Sequence, residues 1–195
     1  MFGRPRFIVF EGIDGSGKST QAKLLKEWLD SLEVRCILTS EPTRGEFGQA
    51  IRSLSNRIDA AEEYDLFEKD RKEHLEKEIR PALESGATVI CDRYVHSSVA
   101  YQGARGFDPQ VIINRSERFA TMPDIVFLIE VPIPIALSRI QEGRAGDFSI
   151  FEESKNLRAV DTIYKSLTES YIKRLDGDCS PENLHQTIVK ILFEL

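Results

Sequence analysis

Cysteine is scarce: Cys36, Cys91 and Cys179 are odd in number, far apart, and form no C-x-x-C pair. That pattern supports neither a disulfide framework nor a zinc knuckle. Cys36 and Cys91 fall in apolar strand-like runs, where buried, inert thiols are expected. No apolar run approaches the roughly 20 residues of a membrane span. The run Phe7–Phe10, behind the basic start Met1-Phe2-Gly3-Arg4-Pro5-Arg6, is too short for a signal peptide. Positive charge is in deficit, with a net charge of −6, so a broad nucleic-acid-binding face is not expected. A local anion site needs only a few clustered Arg or Lys and is not excluded. Internal repeats and any linker rich in Gly, Ser or Pro are missing too. One cytoplasmic domain over residues 1–195 is therefore expected, with neither nucleic acid nor membrane as partner.

What is present suits an α/β fold. Hydrophobic residues make up 41%, enough to fill a core. The runs Phe7–Phe10, Arg35–Thr39, Thr88–Asp92, Ile125–Val131 and, less clearly, Tyr171–Leu175 read as strands. The first four are rich in Ile, Val and Phe with little polar alternation, the pattern of buried parallel strands. Between them lie helical patterns: Leu25, Trp28, Leu29 and Leu32 at helical spacing, then Gly45–Leu54, then Ala61 to about Ser85, punctuated by Pro81 and closed by Gly86. Asp108-Pro109 and Ser180-Pro181 each read as an N-cap followed by a proline in the first turn. Alternating strands and helices imply a parallel five-stranded sheet with helices on both faces. The segment Glu142-Gly143-Arg144-Ala145-Gly146-Asp147-Phe148-Ser149 breaks the alternation, and reads as a surface loop or as a lid near 142–152 carrying Arg144.

Gly12-Ile13-Asp14-Gly15-Ser16-Gly17-Lys18-Ser19 satisfies G-x-x-x-x-G-K-S/T, directly after a strand and at the opening of a helix that takes in Thr20. Glycines let successive backbone N–H groups turn toward phosphate oxygens, and the helix N-terminus adds favourable partial charge. Lys18 can reach the β- and γ-phosphates of ATP, and Ser19 can ligate Mg²⁺. Such a loop does not by itself separate kinases from other nucleotide-binding proteins. No N-K-x-D guanine-reading motif occurs, which weighs against a GTPase. At the end of the third strand stand Asp92 and Arg93, where the carboxyl ends of parallel strands line a ligand crevice. A carboxylate there can hold Mg²⁺, and a guanidinium can grip an acceptor phosphate by two hydrogen bonds.

The run Asp92-Arg93-Tyr94-x-x-Ser97-Ser98-x-Ala100-Tyr101-Gln102 resembles the signature segment of the thymidylate kinase family. Three further matches stand in that family's order: Glu41-Pro42-Thr43-Arg44 with Gly48 and Ile51-Arg52, Leu66-Phe67 with Arg71, and Pro123-Asp124 before the fourth strand. The resemblance spans about Phe7 to Arg139. It implies the P-loop nucleoside-triphosphate hydrolase fold, phosphorylation of dTMP to dTDP with ATP and Mg²⁺, and a homodimer. Phe67 and Arg71, four apart, share one helix face. A core Phe beside a solvated Arg is the ordinary reading of such a pair, but the ordered neighbouring motifs favour a functional one. By resemblance Phe67 packs on thymine, Arg71 donates to a thymine carbonyl, and Ser98 and Gln102 contribute polar contacts. Tyr101 would crowd the sugar's 2′ position, Arg44 and Arg93 would clamp the monophosphate, and Asp14 would face the acceptor; turn chemistry is the alternative for Asp14. Arg52 reads as a surface helix residue, Tyr94 as packing, and His96 as a surface or core residue.

Some family members carry an Arg after the acidic residue of the phosphate loop, where this chain has Gly15. Such sequences resemble the subtype whose lid supplies the positive charge, with Arg139 and Arg144 as candidates and Arg144 inside the loop proper. The alternatives are a deoxynucleoside or other pyrimidine monophosphate kinase, for which Glu41 could serve as base, and a non-catalytic nucleotide-binding regulatory module. Retention of Lys18, Ser19, Asp92 and Arg93 together argues against the latter.

Overall fold

The apolar runs form five parallel strands: β1 (Phe7–Glu11), β2 (Cys36–Ser40), β3 (Thr88–Asp92), β4 (Ile125–Glu130) and β5 (Ile172–Asp176). Their order across the sheet is β2-β3-β1-β4-β5. The structure, a computed structural model, describes residues 5–54, 58–143 and 150–194. In the sheet interior β1 is buried along its whole length and pairs with β3 and β4. The edges differ. β2 is half-buried, so Cys36 is half-buried rather than buried as expected, whereas Cys91 on β3 is fully buried. β5, the opposite edge, exposes Lys173, Arg174 and Asp176 and buries only Leu175, which explains its weak strand signal.

Around the sheet lie α1 (Lys18–Ser31), α2 (Glu46–Arg52), α3 (Ala60–His74), α4 (Arg80–Glu84), α5 (Val95–Ala104), α6 (Pro109–Ser116), α7 (Ile133–Gly143), α8 (Ile150–Ser166) and α9 (Pro181–Phe193). Asp108 and Ser180 cap α6 and α9 by accepting from the amides of Gln110 and Asn183, each ahead of a proline, as the dipeptides imply. The long helix expected from Ala61 to Ser85 is present but not uniform. A π-helical turn, Leu75–Ile79, joins α3 to α4, and the Arg80 amide bonds back to the Leu75 carbonyl. Pro81 has no N–H to continue an i→i−4 ladder, and the wider turn just before it absorbs the mismatch.

Leu25 and Leu29 of α1 and Leu184 and Ile188 of α9 cover one face of the sheet, against Ile8, Phe10 and Phe127. On the other face Val99 of α5 and Val160 and Tyr164 of α8 pack around Leu128, while Leu75 and Ile79 pack on Phe7, Val9 and Val89. Each such Leu or Ile contributes about 1.5–3 kcal/mol by burial. The arrangement matters for function because the neighbouring strands β1 and β3 feed helices on opposite faces. α1 packs beside α9, and α5 beside α8. A crevice opens where two such strands part, at their carboxyl ends. Phe10 pairs with Asp92 there, so the segments after β1 and β3 leave the sheet side by side.

Candidate active site

The loop leaving β1 is shaped by glycines. Gly15 has φ +78°, and a Cβ on it would lie 2.3 Å from the Ala136 carbonyl oxygen of α7. No side chain fits there without a backbone shift, which accounts physically for the missing loop arginine. Gly17, also left-handed, is the N-cap of α1 and has no side chain to cap the first amides of that helix, on Lys18, Ser19 and Thr20. That leaves an anion-attracting terminus facing the crevice. The Lys18 ammonium is buried, donates to the Ile13 carbonyl at 3.2 Å and lies 3.7 Å from Asp14. Burial, and then the neighbouring Arg93 charge, lower its pKa to about 8. A phosphate beside it would favour the charged form again.

Across the crevice, the Ser19 hydroxyl donates to Asp92 Oδ2. Asp92 Oδ1 is buried with no hydrogen-bond partner among the described residues. The next residue, Arg93, has φ +74°, an uncommon conformation for a residue with a side chain. Its amide donates to the Phe10 carbonyl at 2.9 Å, and the Tyr94 amide donates to Glu11 Oε1 at 2.8 Å. Held so, the Arg93 guanidinium reaches Asp14 at 2.5 Å, Ser97 Oγ at 3.2 Å and the Tyr101 hydroxyl at 3.3 Å. The Asp14 amide also donates to the Tyr101 hydroxyl, at 3.1 Å. Glu11 was not singled out in the sequence, yet it organises this turn. Fully buried, it accepts from the amides of Tyr94 and Ser97 and from the hydroxyls of Ser97 and Tyr164. A carboxylate closing an apolar strand one residue before the glycine loop was the available signal.

Arg71 is the most informative residue on the other side. It is 1% exposed, which overturns the reading of a solvated Arg. Its Nε and Nη2 both stand 2.8 Å from Glu41 Oε2, and Nη2 also donates to the Tyr94 carbonyl and to Ser98 Oγ. Nη1 is buried without a partner among the described residues. The second Glu41 oxygen lies 3.1 Å from His74 Nδ1, and His74 Nε2 is 2.7 Å from Thr39 Oγ1. With both oxygens engaged, Glu41 is not available as the free base that a deoxynucleoside kinase would need. Phe67, one turn before Arg71, is half-buried. Gln102 donates to Glu63 at 2.8 Å, and its buried Oε1 has no partner among the described residues.

Arg44 is exposed, in a loop fixed from behind. Asp70, fully buried, accepts from the Thr43 amide and hydroxyl. Arg52 is exposed on α2, as expected, and also donates to the carbonyls of Pro42 and Thr43, so it ties down this loop. On the donor side, Arg139 of α7 donates to the carbonyls of Gly15 at 3.4 Å, Ser16 at 3.5 Å and Gly177 at 3.0 Å. It braces the phosphate loop against the β5–α9 connection. Arg144, the lid candidate, lies outside the described residues. Tyr94 and His96 are both buried; the Tyr94 ring lies under the Arg71 guanidinium, 5.3 Å from its centre. Among the described residues no group of three or more His, Cys, Asp or Glu could hold a metal, and no helix is long and apolar enough to cross a membrane.

Known proteins similar to this chain share one family description. The family model described as Thymidylate kinase matches residues 10–188. A thymidylate kinase of Akkermansia muciniphila is 42% identical over 189 residues, covering 96% of this chain and 91% of that protein. A thymidylate kinase of Desulfotalea psychrophila is 41% identical over 193 residues, 97% and 95% of the two chains. A protein named probable thymidylate kinase from Thermococcus kodakarensis is 42% identical over 204 residues, 97% and 98% of the two.

Proposed function

The chain belongs to the thymidylate kinase family, and on that premise we propose that it transfers the γ-phosphoryl group of ATP to the phosphate of dTMP. The products are ADP and dTDP, for dTTP synthesis. Arg93 carries the reading: its guanidinium bonds Asp14 of the phosphate loop, while Asp92 beside it accepts from Ser19. One residue pair thus joins the donor end of the crevice to the acceptor end.

The backbone from Gly12 to Thr20 holds the triphosphate, and Lys18 neutralises charge on the transferring group. Arg93 and Arg44 clamp the acceptor phosphate, and Asp14 faces the acceptor sugar and phosphate. Phe67 packs on thymine. Arg71 offers Nη1 to a thymine carbonyl, its other nitrogens being held by Glu41, Ser98 and Tyr94. Ser98 and Gln102 supply polar contacts, and Tyr101 crowds the sugar's 2′ position. Ser19 and Asp92, hard oxygen donors with Asp92 Oδ1 unpartnered, suit Mg²⁺, which when bound neutralises charge on the phosphates. No general base is needed, since the acceptor phosphate is already an anionic nucleophile; catalysis rests on in-line positioning and charge neutralisation. Gly15 leaves no room for a loop arginine, so the further positive charge comes from Arg144 in a lid near 142–152. With Arg139 engaged by the Gly15 and Gly177 carbonyls, Arg144 is the better candidate of the two. A single cytoplasmic domain acting as a homodimer completes the proposal, the pairing to be read by sedimentation.

A coupled ADP-release assay over a panel of nucleosides and monophosphates tests the assignment. Turnover with dTMP well above background is expected. Turnover with another acceptor and none with dTMP would refute it, and ATP binding without acceptor-dependent turnover would point to a regulatory module.

A further inference from the structure

Arg71 meets Glu41 through one oxygen only. A guanidinium and a carboxylate free to turn toward each other often pair as two forks, with two nitrogens on two oxygens. Here Nε and Nη2 share the single oxygen Oε2, both at 2.8 Å, and Oε1 is turned away to His74 Nδ1 at 3.1 Å. The Glu41 backbone is fixed separately, its amide donating to the Asp92 carbonyl at 3.1 Å. The last torsion of a glutamate is broad and two-fold, so a fixed backbone does not choose how the carboxylate faces Arg71. His74 makes that choice.

His74 closes α3 three residues after Arg71, so the two side chains leave the same helix face. It is buried, and a carboxylate paired with a guanidinium only accepts, so Nδ1 carries the proton of the Glu41 contact. At the far edge of the ring Nε2 lies 2.7 Å from Thr39 Oγ1 on β2, and that oxygen lies 3.0 Å from Glu78 Oε2 in the π-helical turn. The ring is thus gripped at both nitrogens, between the end of β2 and the turn that follows α3. We propose that His74 is a positioning residue for acceptor binding: by holding Oε1 it fixes the plane of the Glu41 carboxylate, and with it the direction in which Arg71 presents its guanidinium. Without that hold the carboxylate can rotate into a two-oxygen pairing. Nη2 would then be drawn off the Tyr94 carbonyl and Ser98 Oγ, which it meets at 3.1 and 3.0 Å. The consequence for the acceptor rests on the reading of Arg71 as the thymine contact.

The test compares His74→Asn with His74→Gln in the full chain. An asparagine amide puts an N–H near the place of Nδ1 and keeps a donor for Glu41. A glutamine amide reaches instead to the place of Nε2 and keeps Thr39. Both variants lose the ring, so a role in packing alone would cost both alike. His74→Gln should raise KM for dTMP about five-fold and His74→Asn less than about two-fold, with kcat and the KM for ATP close to the parent in both. Equal KM values for dTMP in the two variants, or a fall in kcat without a change in KM, would overturn the proposal. Should calorimetry show His74→Gln unfolded, Thr39→Val removes the far anchor of the ring instead; it too should raise KM for dTMP and not for ATP, and an unchanged KM overturns the proposal. The Arg71 Nε–H signal in NMR, read without substrate, should move more in His74→Gln than in His74→Asn, and equal shifts would overturn the hold on Arg71 itself. Arg71→Lys separates the two layers. If it leaves KM for dTMP unchanged while that signal responds as expected, the thymine contact is wrong and the hold of His74 on Arg71 stands.

Discussion

Replacing Glu41 by Gln keeps the shape of the side chain and removes its charge. Arg71 would then be a buried cation whose main counter-ion is gone, with only the Tyr94 carbonyl, Ser98 Oγ and one amide oxygen as acceptors. Breaking a buried pair from one side costs about 3–5 kcal/mol, and the retained amide oxygen places this substitution near the lower end. For a chain of this length that corresponds to a fall in melting temperature of about 6–12 °C. The side chain does not touch the reacting phosphates in the account above. KM for dTMP should therefore rise, as Arg71 loses its fixed orientation, while kcat changes much less. Calorimetry and the coupled assay read the two effects separately. A melting temperature within about 2 °C of the parent, with KM unchanged, would refute the argument that Glu41 holds Arg71. Loss of turnover on a deoxynucleoside, with the fold intact, would instead make Glu41 a base.

Three further outcomes are expected. Lys18 binds its proton less tightly in the folded protein, at about 8 against 10.5 unfolded, so the unfolded state holds more protons between those values. Stability without nucleotide should rise with pH across that window in urea titrations, and Lys18→Met should lose that part of the dependence. Gly15→Ala should weaken ATP binding more than Gly17→Ala in calorimetric titrations: both positions are left-handed, but only Gly15 has a carbonyl 2.3 Å from the added carbon. Glu11→Gln turns an amide NH₂ toward donors that now meet a carboxylate oxygen, costing about 2–4 kcal/mol by urea unfolding, with kcat falling as Arg93 loses its support.

Much of this site was legible because its parts are local. The phosphate loop, the strand before it and the helix after it lie within one short stretch, and Asp92-Arg93 ends a strand whose apolar run marks its own boundary. The parallel sheet followed from alternation of strand and helix. What escaped is the network that holds those parts, since its partners are remote in the chain and meet only through the topology. Glu11 accepts from Ser97, Asp70 from Thr43, and Glu41 meets both Arg71 and His74. No periodicity reports such pairings. The same limit applies to Cys36, whose half-exposure follows from β2 lying at the sheet edge rather than from the run that contains it. Arg52 is exposed as its helix position suggested, but its bonds to the Pro42 and Thr43 carbonyls were not legible.

The central claim is that one crevice binds two nucleotides and passes a phosphoryl group directly between them. Following labelled phosphate from γ-labelled ATP, with dTMP present and Arg93→Ala in parallel, tests it most directly. The account predicts label in the terminal phosphate of dTDP with the parent protein, and a steep loss of that product with the variant. Label recovered as orthophosphate, or dTDP formation unaffected by loss of Arg93, would contradict it.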